Sequence, residues 1–250
     1  VVTRLAAGAI NPVHFKDAFL AVSSRHMTVD ATSSAKMQRA RMQFLLATKA
    51  GVTGKGVLTS DMESSLGRVA EPEAFSRAVQ AAADVLSRKG GAGANSRLRR
   101  AMMDLLKLPG DVGIRFMDDV ARVSAFLDEL KLSRAANPAF SEKEHVEWAA
   151  ERASNIYQTY DKLPQVVRDA SNMGLASPFV SFKIEMLRNL WNINRYAVAG
   201  MRSSNPALRR DGAQKMVGLF SQRDEQGVKS MGAVWCHFGG VGGAACLALL

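Results

Sequence analysis

The spacing of apolar residues along the chain predicts a protein built from helices. The strongest run recurs at steps of three and four, with Phe116, Met117, Val120, Val123, Phe126, Leu127 and Leu130 on one face. No alternating apolar run leads into an Asn-Gly or Asp-Gly turn, so the sequence gives no hairpin signal. We therefore expect an all-α fold of about eight to ten helices, forming a partly extended array without a substantial sheet.

Residues that favour helix starts mark most of the predicted boundaries. Asn11-Pro12, Ser177-Pro178 and Asn205-Pro206 each place a polar residue or proline where a helix begins, and Ser141 and Glu144 have capping-box spacing. With the apolar spacing, these signals predict helices at about 12–22, 33–50, 72–89, 96–108, 116–130, 142–160, 178–201 and 206–220, with a short one between 161 and 174.

Glycine-rich stretches divide the chain into three predicted regions. The glycines at 90, 91 and 93 end an N-terminal helical region with a basic surface, residues 1–94, and a helical core follows at 95–220. Residues 221–250 are predicted to form a linker and an apolar tail. The chain as a whole resembles a piece of a longer protein. From 232 to 250 there is no charged residue, which suits a truncated membrane-interacting segment of about 20 residues. A buried or interfacial helix broken by glycines is the alternative.

The charge is positive and unevenly distributed. Lys and Arg total 33 against 23 Asp and Glu, which gives a net charge of +10. Residues 111–170 are acidic on balance, whereas the segments on either side are basic. Basic ends suggest contact with DNA or anionic lipid, and a merely soluble basic surface is the alternative. The candidate polyanion contacts are Arg97, Arg99, Arg100, Arg209 and Arg210.

Candidate catalytic and metal-binding patterns are sparse. The two cysteines lie at 236 and 246 and the four histidines are scattered, so neither a disulfide framework nor a zinc site is indicated. The glycines at 51–56 lack the spacing of a phosphate-binding loop. Asp118 and Asp119 are adjacent on a helix and point about 100° apart, so they do not converge on one ligand. We predict no catalytic residue, cofactor or metal site.

One polar stripe stands out within the predicted helix 178–201. Arg188, Asn192 and Arg195 are spaced by four and three, which places them on one face. Such a stripe can hold phosphates or bridge to carboxylates of the acidic segment 111–170. We expect the bridge, because that segment carries the complementary charge.

Four ordered elements between residues 111 and 220 resemble a family of very large bacteriophage proteins. They are Arg115–Leu127, Tyr157–Arg168, Ser177–Asn192 and Met201–Leu219. Their order and spacing are similar to those of internal virion or ejection proteins, also called large polyvalent proteins. The resemblance covers about 110 residues, less than half of the chain, and similarity over residues 1–110 is vague.

The resemblance implies a non-enzymatic helical segment of a long protein packaged in the phage particle. Such proteins enter the host with DNA and reach the cell envelope, so expected partners are other virion proteins, copies of the chain, DNA backbone and, through 232–250, membrane. The candidate structural anchors are Asp119, Arg122, Phe126, Tyr160, Asp161, Pro178, Phe179, Phe182, Arg188 and Asn192. The alternatives are a phosphate-contacting DNA-binding module inside the infected cell, or an enzyme whose site is assembled from distant residues.

Overall fold

The computed structural model describes residues 12–27, 29–30, 32–53, 77, 79–81, 83, 110–157, 159, 165–166 and 178–220. Side chains at 12–13, 110–115, 178–183 and 217–220 lie outside that description. The described part is 83% helical and contains no strand, which confirms the predicted all-α fold.

Six α-helices and one 3₁₀ turn make up the described part. The helices are α1 Pro12–Ser23, α2 Ala35–Lys49, α3 Gly110–Ala136, α4 Glu142–Ile156, α5 Pro178–Arg202 and α6 Pro206–Phe220, and the 3₁₀ turn is Ser24–His26. The described residues of the predicted helix 72–89 are helical, as are residues 165 and 166. The predicted helix 96–108 and the apolar tail lie outside the described residues. Among the helices that are described, none is both long enough and apolar enough to cross a membrane.

Two of the predicted caps form at the helix starts, those of Ser141 and Asn205, whereas Asn11 and Ser177 lie outside the described residues. The Ser141 hydroxyl accepts a hydrogen bond from the Glu144 backbone N–H at 3.4 Å, and the Glu144 carboxylate accepts from the Ser141 N–H at 2.7 Å. This is a complete capping box, which satisfies backbone donors that the first turn of α4 would otherwise leave unpaired. At α6, the Asn205 side-chain oxygen accepts from the Ala207 N–H at 2.9 Å.

Helix α4 ends earlier than the apolar spacing predicts. Tyr157 adopts an extended backbone, with φ −103° and ψ 152°, so α4 stops at Ile156 instead of continuing to about 160. Side chains of α5 take up the terminal carbonyls: Arg188 donates to those of Ser154 and Tyr157 at 3.3 and 3.2 Å. These bonds come from a distant part of the chain, so tertiary contacts, and not the local pattern, end the helix.

Helix α3 lies at the centre of the described fold. It contacts α1, α2, α4 and α6, and its apolar face shares one buried cluster with residues of α1, α2 and α4. Phe19 of α1 packs edge-on against Phe116, with ring centroids 5.2 Å apart. Two charged residues of α3, Arg122 and Glu129, are buried as well, although they lie outside the apolar spacing of the helix. A helix with neighbours on several sides buries more than one stripe.

Helices α5 and α6 cross at two glycines. A Cβ atom at Gly200 would stand 2.6 Å from the Leu208 carbonyl oxygen, and one at Gly212 would stand 2.6 Å from both the Ala197 oxygen and the Met201 nitrogen. Nothing larger than hydrogen fits at either position without moving backbone. The α5–α6 hairpin is therefore held by direct contact between helix backbones.

We predict that Gly212→Ala destabilises the protein by about 1–3 kcal/mol, because its methyl group would displace the backbone of α5. The sign of the change in the free energy of unfolding shows whether the position is crowded, since replacing glycine by alanine in an uncrowded helix stabilises by about 1 kcal/mol. Urea unfolding followed by circular dichroism measures the change. Ala213→Ser, at the exposed neighbouring position, is the control and should shift stability by less than about 0.5 kcal/mol. A Gly212→Ala protein as stable as the parent would contradict the close crossing.

Candidate functional site

Four charged side chains from three helices form a buried cluster, here called the charge cluster. Glu129 of α3 accepts hydrogen bonds from Arg152 Nε of α4 at 2.6 Å and from Lys215 Nζ of α6 at 3.0 Å. Asp211 of α6 pairs with Lys215 in a short contact and with Arg152 at 3.4 Å. Two carboxylates and two cations thus neutralise one another where α3, α4 and α6 meet.

Aromatic rings fix the arginine of the charge cluster. The Arg152 guanidinium lies 4.4 Å from the centroid of the Trp148 ring and 4.1 Å from that of the Tyr196 ring. Cations are attracted to aromatic faces at such distances, and a planar guanidinium also stacks on them. Because Tyr196 belongs to α5, this stack connects the charge cluster to a fourth helix.

Burial and opposite charges act against each other on the two carboxyl groups. Burial raises the pKa of Glu129, but Lys215 and Arg152 outweigh it and hold that pKa below its ordinary value. Burial raises the pKa of Asp211 above its ordinary value, and the nearby Glu129 carboxylate adds to the rise. Ionised Glu129 therefore stabilises the fold above the usual glutamate pKa, and this contribution is lost as pH falls through the lowered folded pKa. The raised pKa of Asp211 has the opposite effect: its contribution to stability is present below the usual aspartate pKa and is lost as pH rises through the raised folded pKa.

A cleft of about 330 Å³ opens beside the charge cluster, between α3 and α6. Asp128, Lys131, Arg210 and Gln214 lie among its lining residues, together with the edge of the cluster itself. The cluster carboxylates that reach the cleft are engaged by Lys215 and Arg152. The cleft is therefore a mixed-charge groove in which the two cluster carboxylates, Glu129 and Asp211, already have cationic partners.

A second polar network joins α5 to the end of α4. Glu185 is fully buried and forms a two-point ion pair with Arg188, at 2.9 and 2.8 Å. Its Oε2 also accepts the backbone N–H of Thr159 at 3.0 Å. Asn192 Nδ2 donates to the Asn155 carbonyl at 3.2 Å, and the Asn155 side chain donates to the Tyr196 hydroxyl at 2.8 Å.

The polar stripe of Arg188, Asn192 and Arg195 was expected to bridge to carboxylates of the acidic segment. The bridge forms, but with different acceptors. Arg188 and Asn192 do reach residues 154–157, but they bind carbonyl and amide oxygens there. The carboxylate that pairs with Arg188 is Glu185 of its own helix, so the expected pairing with carboxylates of 111–170 was wrong for Arg188. Arg195 is not part of this bridge; it is exposed and lies 5.4 Å from the Tyr196 ring centroid. Helix-terminal carbonyls attract cations as carboxylates do.

The fully exposed charged side chains in the described part of α5 and α6 are all arginines. Glu185 and Asp211 are the only acidic residues between 178 and 220, and both are engaged in the ion pairs above. Exposed arginines follow along the two helices at 195, 202, 209 and 210, and none forms an ion pair with a described residue. Arg209 and Arg210 are thus exposed as a polyanion contact requires, whereas Arg97, Arg99 and Arg100 lie outside the described residues.

The other predicted anchors are distributed between the core and the part not described. Phe126 is fully buried, and buried Arg122 pairs with Asp118 at 2.7 Å. Asp119 is half-buried on α3. Pro178 is the first residue of α5, as predicted. The side chains of Phe179 and Phe182 lie outside the described residues, as do Tyr160 and Asp161.

Sequence reasoning missed the charge cluster. Only the spacing of four between Asp211 and Lys215 hints at it, and such pairs are common on exposed helix faces. Arg152, Glu129 and Lys215 come together only after α3, α4 and α6 pack. In the described part of the chain, no group of three or more His, Cys, Asp or Glu side chains is arranged to hold a metal ion.

Comparison with known proteins gives no relative from which a role can be transferred. No family model, curated protein or solved structure matches the chain. The residues and their geometry therefore carry the functional argument.

We predict that Glu129→Gln lowers the free energy of unfolding by about 3–5 kcal/mol, because Arg152 and Lys215 would keep buried charge with one fewer counter-charge. Glu142→Gln is the matched control, since it removes one partner of an exposed ion pair with Arg134, and it should cost less than about 1 kcal/mol. Chemical denaturation of both variants measures the difference. Equal losses would show that the charge cluster does not hold the helices together.

Proposed function

We propose that this chain is a non-enzymatic helical segment of a large bacteriophage internal virion or ejection protein. It packs with copies of itself or with neighbouring domains, and it contacts DNA or the host envelope during genome delivery. Its place is the virion interior, and the cell envelope after ejection.

The residues that resemble the phage family support this proposal through what they do in the fold. Glu185, Arg188 and Asn192 bind α5 to the end of α4. Asn205 caps α6 and donates to the Ala136 carbonyl at the end of α3, and Gly212 permits the close helix crossing. The similar elements thus contain several of the residues that hold helices together, as expected for a structural role.

The observation that carries the proposal is that the exposed charged side chains in the described part of the α5–α6 hairpin are all arginines. Its two acidic residues are enclosed in ion pairs, and four arginines remain exposed. A surface whose acidic groups are engaged in ion pairs and whose arginines are exposed attracts polyanions of both classes that genome delivery involves, nucleic acid and anionic lipid. The saturated charge cluster supports a structural role, because its buried ionisable groups are engaged with one another.

We predict that peptides of this chain occur in purified, nuclease-treated phage particles. Trypsin cleavage at Arg188 and Arg195 releases residues 189–195, which mass spectrometry detects and quantifies against the major capsid protein. A copy number well below that of the capsid protein is expected for an internal component. Detection in infected cells but not in particles would contradict the proposal.

A DNA-binding module acting inside the infected cell is the second candidate. It is favoured by the position of Arg202, Arg209 and Arg210, which flank the turn between α5 and α6 and are all exposed. Clustered cations of this kind contact phosphates without reading sequence.

For this second candidate, we predict that duplex DNA binding weakens steeply as salt rises, because each neutralised phosphate releases counterions. Arg209→Gln with Arg210→Gln should lower the slope of log affinity against log salt by about two, whatever the DNA sequence. Fluorescence anisotropy over a salt series measures the slope. Arg25→Gln with Lys49→Gln removes two exposed cations elsewhere and is the charge-matched control. No binding even at low salt would exclude this candidate.

A further inference from the structure

The outward face of α5 combines apolar and cationic side chains. Its inward face, with Glu185, Asn189, Ile193 and Ala197, is buried. The outward stripe comprises Leu187, Trp191, Arg195, Val198 and Arg202, at spacings of three and four. Leu187 is 47% exposed and Trp191 is 56% exposed, although large apolar side chains are usually buried.

The charge of this stripe restricts what can cover it. It contains two exposed arginines and no acidic residue. A second copy that packed through the same face would bring the arginines of both copies into one interface that contains no acidic partner, which is unfavourable. The occupant must therefore be anionic and must also accept apolar side chains.

An anionic bilayer surface meets both requirements. Indole and leucyl groups enter the boundary between headgroups and acyl chains, where tryptophan is enriched because one end of the ring is apolar and the other polar. Arginine side chains lay their methylenes along apolar surface while the guanidinium remains among the phosphates. The intervals between Leu187, Trp191, Arg195 and Arg202 are four, four and seven residues, so all four lie on one face, with the two apolar groups before the two cationic ones.

We propose that the outward face of α5 is a peripheral docking surface for anionic lipid membranes. The phosphate of a lipid headgroup pairs with Arg195 and Arg202, and Trp191 and Leu187 insert beside it. This interface lies on a folded helix whose opposite face packs on the protein, so it does not require a membrane-spanning segment. It is distinct from the predicted apolar segment 232–250.

The exposed apolar groups favour lipid over DNA for this face. A phosphodiester backbone uses the arginines but offers exposed Leu187 and half-buried Val198 no apolar environment, and duplex bases are stacked away from Trp191. A bilayer engages all five side chains of the stripe.

This inference rests on the proposed function for the setting in which the membrane is met, but its chemistry is tested separately. If the face fails to bind lipid while the peptides are present in phage particles, only the docking surface is wrong. If it binds lipid while the peptides are absent from particles, only the phage assignment is wrong.

The test is sedimentation of the full chain with vesicles of phosphatidylcholine alone or mixed with phosphatidylglycerol. We expect binding to the anionic vesicles, little binding to phosphatidylcholine, and weakening as salt rises. Arg195→Gln with Arg202→Gln should lower the partition coefficient by about fivefold for each charge, or about 25-fold together. Trp191→Ala should lower it by about tenfold, because the exposed half of the indole no longer leaves water.

Two control variants separate this face from the rest of the surface. Arg25→Gln with Lys131→Gln removes the same charge elsewhere, and Met42→Ala truncates an exposed apolar side chain on α2. Each should change the partition coefficient by less than about twofold. With Trp148 and Trp235 replaced by phenylalanine, emission from Trp191 should shift to shorter wavelength on anionic vesicles.

Three outcomes would overturn the proposal. The first is equal binding to both vesicle types, because the arginines would then have no part in it. The second is absent binding, or binding that the α5 variants leave unchanged, since the contact would then lie elsewhere or not exist. The third is retention of duplex DNA that depends on Arg195 and Arg202 while vesicle binding does not, which would make the face a nucleic-acid surface.

Discussion

The burial of one carboxylate, Glu129, is the constraint on which the rest of the described structure depends. A charge buried on α3 is costly unless neighbouring helices supply counter-charges, so α4 and α6 must place Arg152 and Lys215 against it. Arg152 in turn lies between Trp148 and Tyr196, which brings α5 into the same arrangement. Apolar packing alone tolerates several helix registers, whereas these paired charges satisfy one another in only one register.

The same ion pairs that hold the helices determine the electrostatics of the surface. Asp211 and Glu185 are the acidic residues of α5 and α6, and both face inward toward cations. Their removal from the surface leaves arginines as the charged groups that α5 and α6 expose in the described part. The cationic hairpin is therefore a consequence of how its helices are anchored, and a change that disrupts the anchor would also change the surface field.

Local signals predicted local structure well, and long-range contacts account for what they missed. The capping box at Ser141 and Glu144 and the start of α6 at Pro206 were correctly predicted, because caps involve residues within one turn. The end of α4 at Ile156 was predicted too late, since it depends on Arg188 and Asn192 from another helix. Arg209 and Arg210 are exposed, and their contact with polyanions stays a prediction. Glu129 and Lys215 were not identified as an ion pair, because 86 residues separate them and only packing makes them partners.

The close crossing of α5 and α6 connects the fold to its exposed face. With Gly200 and Gly212 in backbone contact, the two helices cannot roll against each other without collision. The network around Glu185 fixes which side of α5 faces the protein, so the opposite side, with Trp191 and Arg195, is fixed as well. A preorganised face loses less conformational freedom on binding than a flexible segment of the same composition. The buried polar residues thus act on function indirectly, by holding an apolar and cationic surface in one orientation.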